Sequence, residues 1–185
     1  MSREKRHDIL FKPIKLGPKT LRNRFWQVPH CNGAGSDRPG MQAAFRGMKA
    51  EGGWGAVFTE VCFFTYDSDP TPWVGSQLID KGDIKNLSLM CDSIHKHGSL
   101  AGVELTHGSS FLMNAESRMP GRAPSQIPNE MEGMASARAM TKIEIRQMQR
   151  DHVDGALRAR EAGFDLLTVF CGLATIPNYF LYPFN

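Results

Sequence analysis

Every link between two strand-like segments of this chain contains a helix-like one, and no other feature of the sequence constrains its fold as tightly. Residues 25–29 form a short apolar run that predicts a first strand. Residues 54–64 are rich in β-branched and aromatic side chains and predict a second. Residues 100–106 and 165–170 predict a third and a fourth. Between the first two, residues 42–51 carry a helical pattern that Gly52 and Gly53 stop. Between the second and third, residues 84–97 place Ile84, Leu87, Cys91 and Ile94 on one helical face, with Asp83 as N-cap and Gly98 just past the end. Between the third and fourth, Thr141-x-x-Glu144 is a capping box that opens a helix. Ile145, Met148, His152, Val153 and Ala156 give that helix an apolar face, and Gly163 ends it. Strands joined through helices pair in parallel. Near-continuous apolar strands agree with burial on both faces.

A doubly wound sheet and a (β/α)8 barrel both fit this order. Residues 9–13 and 14–24 read as a hairpin turning at Gly17-Pro18, placed to plug a barrel bottom. A complete barrel takes ~250 residues. The fourth strand ends here at residue 170, so as a barrel the chain carries strands one to four, the first half, and looks truncated. Residues 114–139 break the rhythm with a long irregular segment, a kind of loop that is often functional.

Composition excludes several classes. Lys plus Arg number 22 against 19 Asp plus Glu, a formal net charge of +3, and the charges are interspersed rather than gathered in a nucleic-acid-binding stripe. No apolar run approaches the ~18 residues of a membrane helix, and no apolar signal segment follows the amino terminus. Cys31, Cys62, Cys91 and Cys171 show no Cys-x-x-Cys spacing. Reduced thiols in a cytoplasm are therefore expected, not a disulfide framework or a zinc site.

In parallel α/β folds, sites gather at the C-terminal ends of strands. Four clusters fall there: Pro29-His30-Cys31, Glu60-Val61-Cys62, Glu104-Leu105-Thr106-His107 and Phe170-Cys171-Gly172-Leu173. Gly33-Ala34-Gly35 follows the first strand, but a dinucleotide-binding loop needs a third glycine where Arg38 stands. A plain loop is the expected reading. His95 and His97 are two apart on a helix and do not share a face, so no metal site is expected. Cys31 and Cys171 face the site either as reactive thiols or as small apolar residues. Glu60 and Glu104 fit an acid–base pair, and equally structural or cofactor-binding carboxylates.

Leu10-Phe11-x-Pro13 followed by Leu21-Arg22-Asn23-Arg24 resembles the opening of the old yellow enzyme family of flavin-dependent (β/α)8 barrels. The runs Gly17-Pro18-Lys19-Thr20-Leu21-Arg22-Asn23-Arg24 and Gln27-Val28-Pro29-His30-Cys31-x-Gly33-Ala34-Gly35-Ser36-Asp37 resemble its trimethylamine and dimethylamine dehydrogenase branch. Lys49-Ala50-Glu51-Gly52-Gly53-Trp54, Leu100-Ala101-Gly102-Val103-Glu104-Leu105, Glu116-Ser117-Arg118 and Ala162-Gly163-Phe164-Asp165 continue the match, which covers essentially the whole chain.

The resemblance implies that residues 1–185 are the N-terminal part of an FMN-binding (β/α)8 oxidoreductase domain. Its reaction would be oxidation of an amine or N-methyl compound by hydride transfer to flavin N5. Pro29, His30, Cys31, Val61 and Glu104 fall at cofactor-binding positions. Cys31 matches the cysteine bonded to flavin carbon 6 in that branch, and Glu104 the side chain that hydrogen-bonds the flavin pyrimidine. No residue is assigned a catalytic role, and no metal is assigned to this chain. A [4Fe–4S] cluster and a second nucleotide belong, on the same resemblance, to downstream domains. The departures are informative. A tyrosine of the branch is replaced by Val61, and its Tyr-x-x-His by Phe170-Cys171-Gly172-Leu173. Val61, Phe170 and Leu173 would shape a substrate pocket without a cation–π wall, so a substrate other than trimethylamine is expected, with Arg118 or Arg122 placed to meet a carboxylate on it. The alternative within the superfamily is NAD(P)H-dependent ene-reduction, as in dienoyl-CoA reductases; the alternative outside it is a catalytically inert fragment. Expected partners are a small amine or N-methyl substrate, an electron acceptor and a second copy in a homodimer, with neither nucleic acid nor membrane.

Overall fold

The computed structural model describes residues 4–68, 71, 73–108, 114, 117–128, 136–172 and 175–183. A 3-10 helix, Lys5–Phe11, leads into a hairpin of β1 (Ile14–Leu16) and β2 (Lys19–Leu21). Gly17 makes its turn at φ 57°, a left-handed conformation that favours glycine. There follow β3 (Trp26–Gln27), α1 (Pro39–Glu51), β4 (Ala56–Phe63), β5 (Ser76–Gln77), α2 (Ile84–His95) and β6 (Leu100–Thr106). The chain then forms β7 (Arg122–Ala123), β8 (Ile127–Pro128), β9 (Ser136–Ala139), α3 (Lys142–Ala162), β10 (Leu166–Val169) and α4 (Ile176–Tyr179).

The main sheet runs β3-β4-β6-β10, all parallel, so each strand lies beside the one before it along the chain. Its two faces are filled differently. Val57, Cys62, Ala101, Val103 and Leu105 pack on one face against Ala50 of α1, Leu87, Met90 and Ile94 of α2, and Ala159 and Ala162 of α3. The other face carries Ala56 and Phe58, closed by Leu21 and Ile14 of the hairpin together with Trp26, Leu100 and Leu166. A doubly wound sheet puts helices on both faces. Here the three long helices share one face and a hairpin plugs the other. This is the first half of a (β/α)8 barrel seen from its strands, with α1–α3 outside.

The hairpin end of the barrel is stapled by residues that carried the resemblance. Arg22 gathers carbonyls at the ends of two helices, donating to Ala50 O at 2.8 Å and His97 O at 2.6 Å, and also to Ser99 Oγ at 3.1 Å. Cations suit helix C-termini because the last carbonyls have no partner within the helix. Asp165 accepts from Lys19 Nζ at 2.6 Å, His95 Nε2 at 2.7 Å and Ala101 N at 3.0 Å, tying β2, α2 and β6 to the start of β10.

A β-bulge shapes the opposite end. Phe58 pairs with Gly102 and Val61 with Glu104, so β4 spends three residues where β6 spends two. The Glu104 amide donates instead to Thr59 Oγ1 at 3.1 Å. Strict alternation from Phe58 would turn Glu60 inward and Val61 outward; the extra residue turns Val61 inward and swings Glu60 toward β3 and α1.

Several sequence expectations are corrected. Residues 9–13 do not form a strand: Lys5–Phe11 buries no side chain, so local turns such as Lys12 N to Ile9 O close it as a 3-10 helix. Asp83 precedes α2 but does not cap it; its carboxylate receives Ile79 N at 2.8 Å and Asp80 N at 3.1 Å from the preceding loop. Val153 is 58% exposed because the buried stripe of α3 runs through Met148, Gly155, Ala159 and Ala162. The irregular stretch 114–139 contains a small sheet ordered β7-β9-β8. The capping box stands: Glu144 N donates to Thr141 Oγ1 at 3.2 Å, and Thr141 N to Glu144 Oε2 at 2.8 Å. Among the described residues no helix is long and apolar enough to cross a membrane.

Candidate functional site

Three strands bring one inward-facing row to the mouth. Val61 of β4, Glu104 of β6 and Thr168 of β10 are register partners across parallel strands, and all three are half-buried. Glu104 stands in the middle. Its carboxyl makes no hydrogen bond to any described residue, and burial alone pushes its pKa up to about 7. A half-buried carboxyl without a partner is costly to the fold, which marks it as a functional candidate. Phe170 lies two residues beyond Thr168, half-buried, with its amide on Leu105 O at 2.9 Å.

Beside this row runs the connection from β3 to α1, which carries Pro29, His30 and Cys31. It has no strand or helix of its own, and its position comes from side chains reaching in. Arg46 of α1 is fully buried and donates to His30 O at 2.7 Å and Gln27 Oε1 at 3.1 Å. Gln27 turns its amide nitrogen onto Val28 O and toward His30 Nδ1, 3.3 Å away. On the other side Asn32 N donates to Glu60 Oε2 at 3.3 Å. Cys31 is exposed as a residue. Desolvation of its sulfur raises its pKa, and Glu60 and Glu104 add to this against the Val61 backbone and Arg46. Burial likewise raises Glu60, while Asn32, Arg46 and Ser76 oppose it. His30 is held below its usual value by desolvation and by Arg46 and Lys49.

A second polar cluster flanks the mouth. His107, fully buried at the end of β6, lies 3.4 Å from Asp67 Oδ1, and Arg122 of β7 donates to Asp67 Oδ1 at 2.8 Å. Burial opposes ionisation of Asp67, but His107 and Arg122 outweigh it and hold the carboxyl well below the usual range. Phe64 lies between this histidine and His152 of α3, edge-on to His107 and tilted against His152, with ring centroids 5.7 Å and 4.4 Å away.

The site residues expected from sequence are distributed unevenly. Cys31, Glu104 and Val61 are brought to one mouth; Pro29 and His30 flank the thiol, and Phe170 sits on the far side of the row. Leu173 lies outside the described residues. Glu60 and Glu104 differ in surroundings: past the bulge Glu60 is fully buried and accepts from Asn32 N on the Cys31 segment, while Glu104 stands in the inward row. Arg122 is committed to Asp67, leaving Arg118 exposed at φ 56°. Gly33 and Gly35 shape a plain loop, Gly35 lying flush against the Val74 and Gly75 backbone, where a Cβ would clash. His95 is bound to Asp165, and no group of three or more His, Cys, Asp or Glu among the described residues could hold a metal ion. Sequence reasoning missed Arg46, Gln27, Thr168 and Asp67, and named His107 and Arg122 without the carboxylate that joins them. Arg46 did leave a signal: Gln42, Arg46 and Ala50 share one helical face, and a charge in such a stripe invites a buried partner.

Comparison with known proteins agrees with this geometry. Residues 9–185 match the NADH:flavin oxidoreductase / NADH oxidase family. The chain is 47% identical to the dimethylamine dehydrogenase of Hyphomicrobium sp. (strain x), over 100% of its own length and 26% of that protein. The solved histamine dehydrogenase from Rhizobium sp. 4-9 superposes with a TM-score of 0.91 at 38% identity, covering 97% of this chain and 28% of that one. The 6-hydroxypseudooxynicotine amine oxidase from Pseudomonas geniculata N1 gives 0.93 at 34%, covering 98% and 28%. The chain thus spans about a quarter of the length of these relatives.

Proposed function

The chain belongs to the NADH:flavin oxidoreductase / NADH oxidase family, and on that premise we propose that it contributes the first half of an FMN site in an oxidoreductase acting on an amine or N-methyl compound. One observation carries the reading. Glu104, a half-buried carboxyl with no hydrogen-bond partner among the described residues, shares a mouth with the thiol of Cys31, and its charge helps to raise that thiol's pKa. These groups fit a flavin: the carboxylate would accept a ring N–H, and the thiol would offer a covalent anchor, its S–C bond replacing the thiol S–H and a ring C–H, with the two electrons left on the flavin for its electron acceptor to remove. Bound there, FMN supplies the two-electron acceptor for hydride removed from the substrate.

The chain's own residues do the rest. Cys31 anchors the cofactor, with Pro29 and His30 forming the wall around it. Glu104 orients it through its pyrimidine edge. Val61 and Phe170 line the substrate side with apolar surface, which excludes water but provides no tyrosine hydroxyl. Val61 also removes one aromatic face for a cation, so the preferred substrate is an amine bulkier than trimethylamine. The similarity to relatives named for amine oxidation supports this reading.

The intact protein, gently purified, is expected to hold FMN and to oxidise amines to an aldehyde plus the smaller amine. A screen of methylated and larger amines tests it. Flavin-free protein, or enone reduction with NADPH and no amine turnover, would overturn the reading; trimethylamine as best substrate would overturn the substrate assignment.

A further inference from the structure

The segment that carries Cys31 has no regular structure, yet both neighbours of that cysteine are held. The carbonyl before it, His30 O, receives Arg46 at 2.7 Å; the amide after it, Asn32 N, donates to Glu60 at 3.3 Å. Arg46 adds a grip through Gln27 Oε1 at 3.1 Å, and Gln27 holds Val28 O in turn. Arg46 and Glu60 are both 0% exposed. Burying a guanidinium and a carboxylate is expensive unless each meets opposite charge and hydrogen bonds. An apolar helix face would close the same space at lower cost, so a charge here needs another reason.

The helix that bears Arg46 is itself firmly seated. Gly47, the next residue, lies so close to Ser93 of α2 that a Cβ would clash with that side chain. Gln42, one turn earlier, reaches Ser76 Oγ of β5 at 2.5 Å. Arg46 therefore works from a fixed base, and whatever it grips is fixed relative to the sheet. Its guanidinium stays protonated at neutral pH even though burial lowers its pKa to about 10, since Glu60 supports the charge.

We propose that Arg46 is a positioning residue which, with Glu60 as its opposite jaw, clamps the backbone on either side of Cys31 and so sets where that thiol meets the flavin edge. The proposal rests on the flavin reading above. It assigns Arg46 no contact with cofactor or substrate.

The test uses the intact holoprotein, with Arg46→Met, Arg46→Lys and Gln27→Ala compared with the parent. Three quantities are measured: total FMN per chain, the fraction of FMN that stays with the polypeptide after acid denaturation, and the thermal unfolding midpoint. A misplacement of about 1 Å can slow a positioned reaction about 100-fold. The tethered fraction of Arg46→Met is therefore expected to fall about tenfold or more, while FMN bound without a tether rises to compensate. Arg46→Lys, which keeps the charge and one carbonyl contact, recovers part of the tether. Gln27→Ala, which leaves Arg46 on His30 O, loses less than Arg46→Met and answers the question should the Met variant not fold. A merely structural Arg46 would lower the unfolding midpoint and leave the tethered fraction of the folded protein unchanged. That result, in either Arg46→Met or Gln27→Ala, overturns the clamp while leaving the flavin reading intact. A parent that holds FMN with no tether, or holds none, overturns the Cys31 assignment and the clamp with it.

Discussion

The two ends of the half-barrel are built on opposite principles. At the hairpin end, Trp26 stacks on Phe58 with ring centroids 4.7 Å apart, and Leu21, Ala56 and Leu166 close round them. Polar groups there are staples, and each has partners: Arg22 on helix carbonyls, Asp165 on three donors. At the mouth the same strands present Glu60, Glu104 and His107, and partners run short. Glu104 has none among the described residues; Glu60 Oε1, Arg46 Nε and His107 Nδ1 are buried without one. Free energy has been left unrecovered at the mouth and not at the hairpin end. One end contributes stability, and the other holds polar groups in reserve for something that binds.

The largest effect is expected where the packing is complete. Phe58→Ala removes a fully buried ring that fills the space over Gly102 and stacks on Trp26, and should cost about 3–5 kcal/mol in the intact protein. Denaturant unfolding measures it, and FMN per folded molecule should not change. A loss below about 1 kcal/mol would mean that the hairpin end is not the stabilising half.

Next comes the polar cluster beside the mouth. Asp67→Ala removes the carboxylate that the fully buried His107 and the partly buried Arg122 both meet, and losing one member of a buried charged pair costs about 3 kcal/mol or more. The pH dependence has a definite sign. Asp67 ionises in the folded protein below its unfolded value of about 3.9, so its contribution is full above that value and is lost as pH falls from there through the lower folded-state pKa. Acid unfolding of Asp67→Ala should accordingly be shallower below pH ~4 than that of the parent.

Cys31→Ala should barely alter stability, because the residue is exposed, but should release all FMN on acid denaturation. Flavin remaining on the chain would place the tether elsewhere. In that same variant the smallest effect becomes readable. Glu104 in the flavin-free protein has a pKa of about 7, above the unfolded ~4.3. Its protonated form is favoured by folding, so this contribution is present below ~4.3 and lost as pH rises toward 7. A flavin N–H needs the carboxylate, so FMN affinity should weaken as pH drops below about 7. Glu104→Gln should flatten that slope; an equal slope in both would remove Glu104 from the site.

Much of this fold was legible because it follows from local patterns. The run at residues 100–106 became β6 with the same bounds, since Leu100 to Leu105 is apolar apart from Glu104 and suits a strand buried between helix and barrel interior. Thr141 and Glu144 opened α3 as a capping box must, since its hydrogen bonds involve only residues three apart. Asp83 was misread for a related reason: an N-cap competes with other nearby amides, and the loop at Ile79 and Asp80 won.

Local residue patterns dictate the alternation of strand and helix, and with it parallel pairing and a mouth where Cys31, Val61, Glu104 and Phe170 are gathered. What those residues meet there comes from how the elements pack. A one-residue bulge at Thr59–Glu60 leaves no mark in hydrophobic periodicity, yet it turns Val61 inward and sends Glu60 to the Cys31 segment. The grip of Arg46 on His30 joins residues 16 apart through a side chain, and the hold of Arg122 on Asp67 spans 55. Periodicity reports which face of an element is buried; which partner waits on that face depends on how separate elements pack, and that is fixed by the closing of the whole sheet around its hairpin.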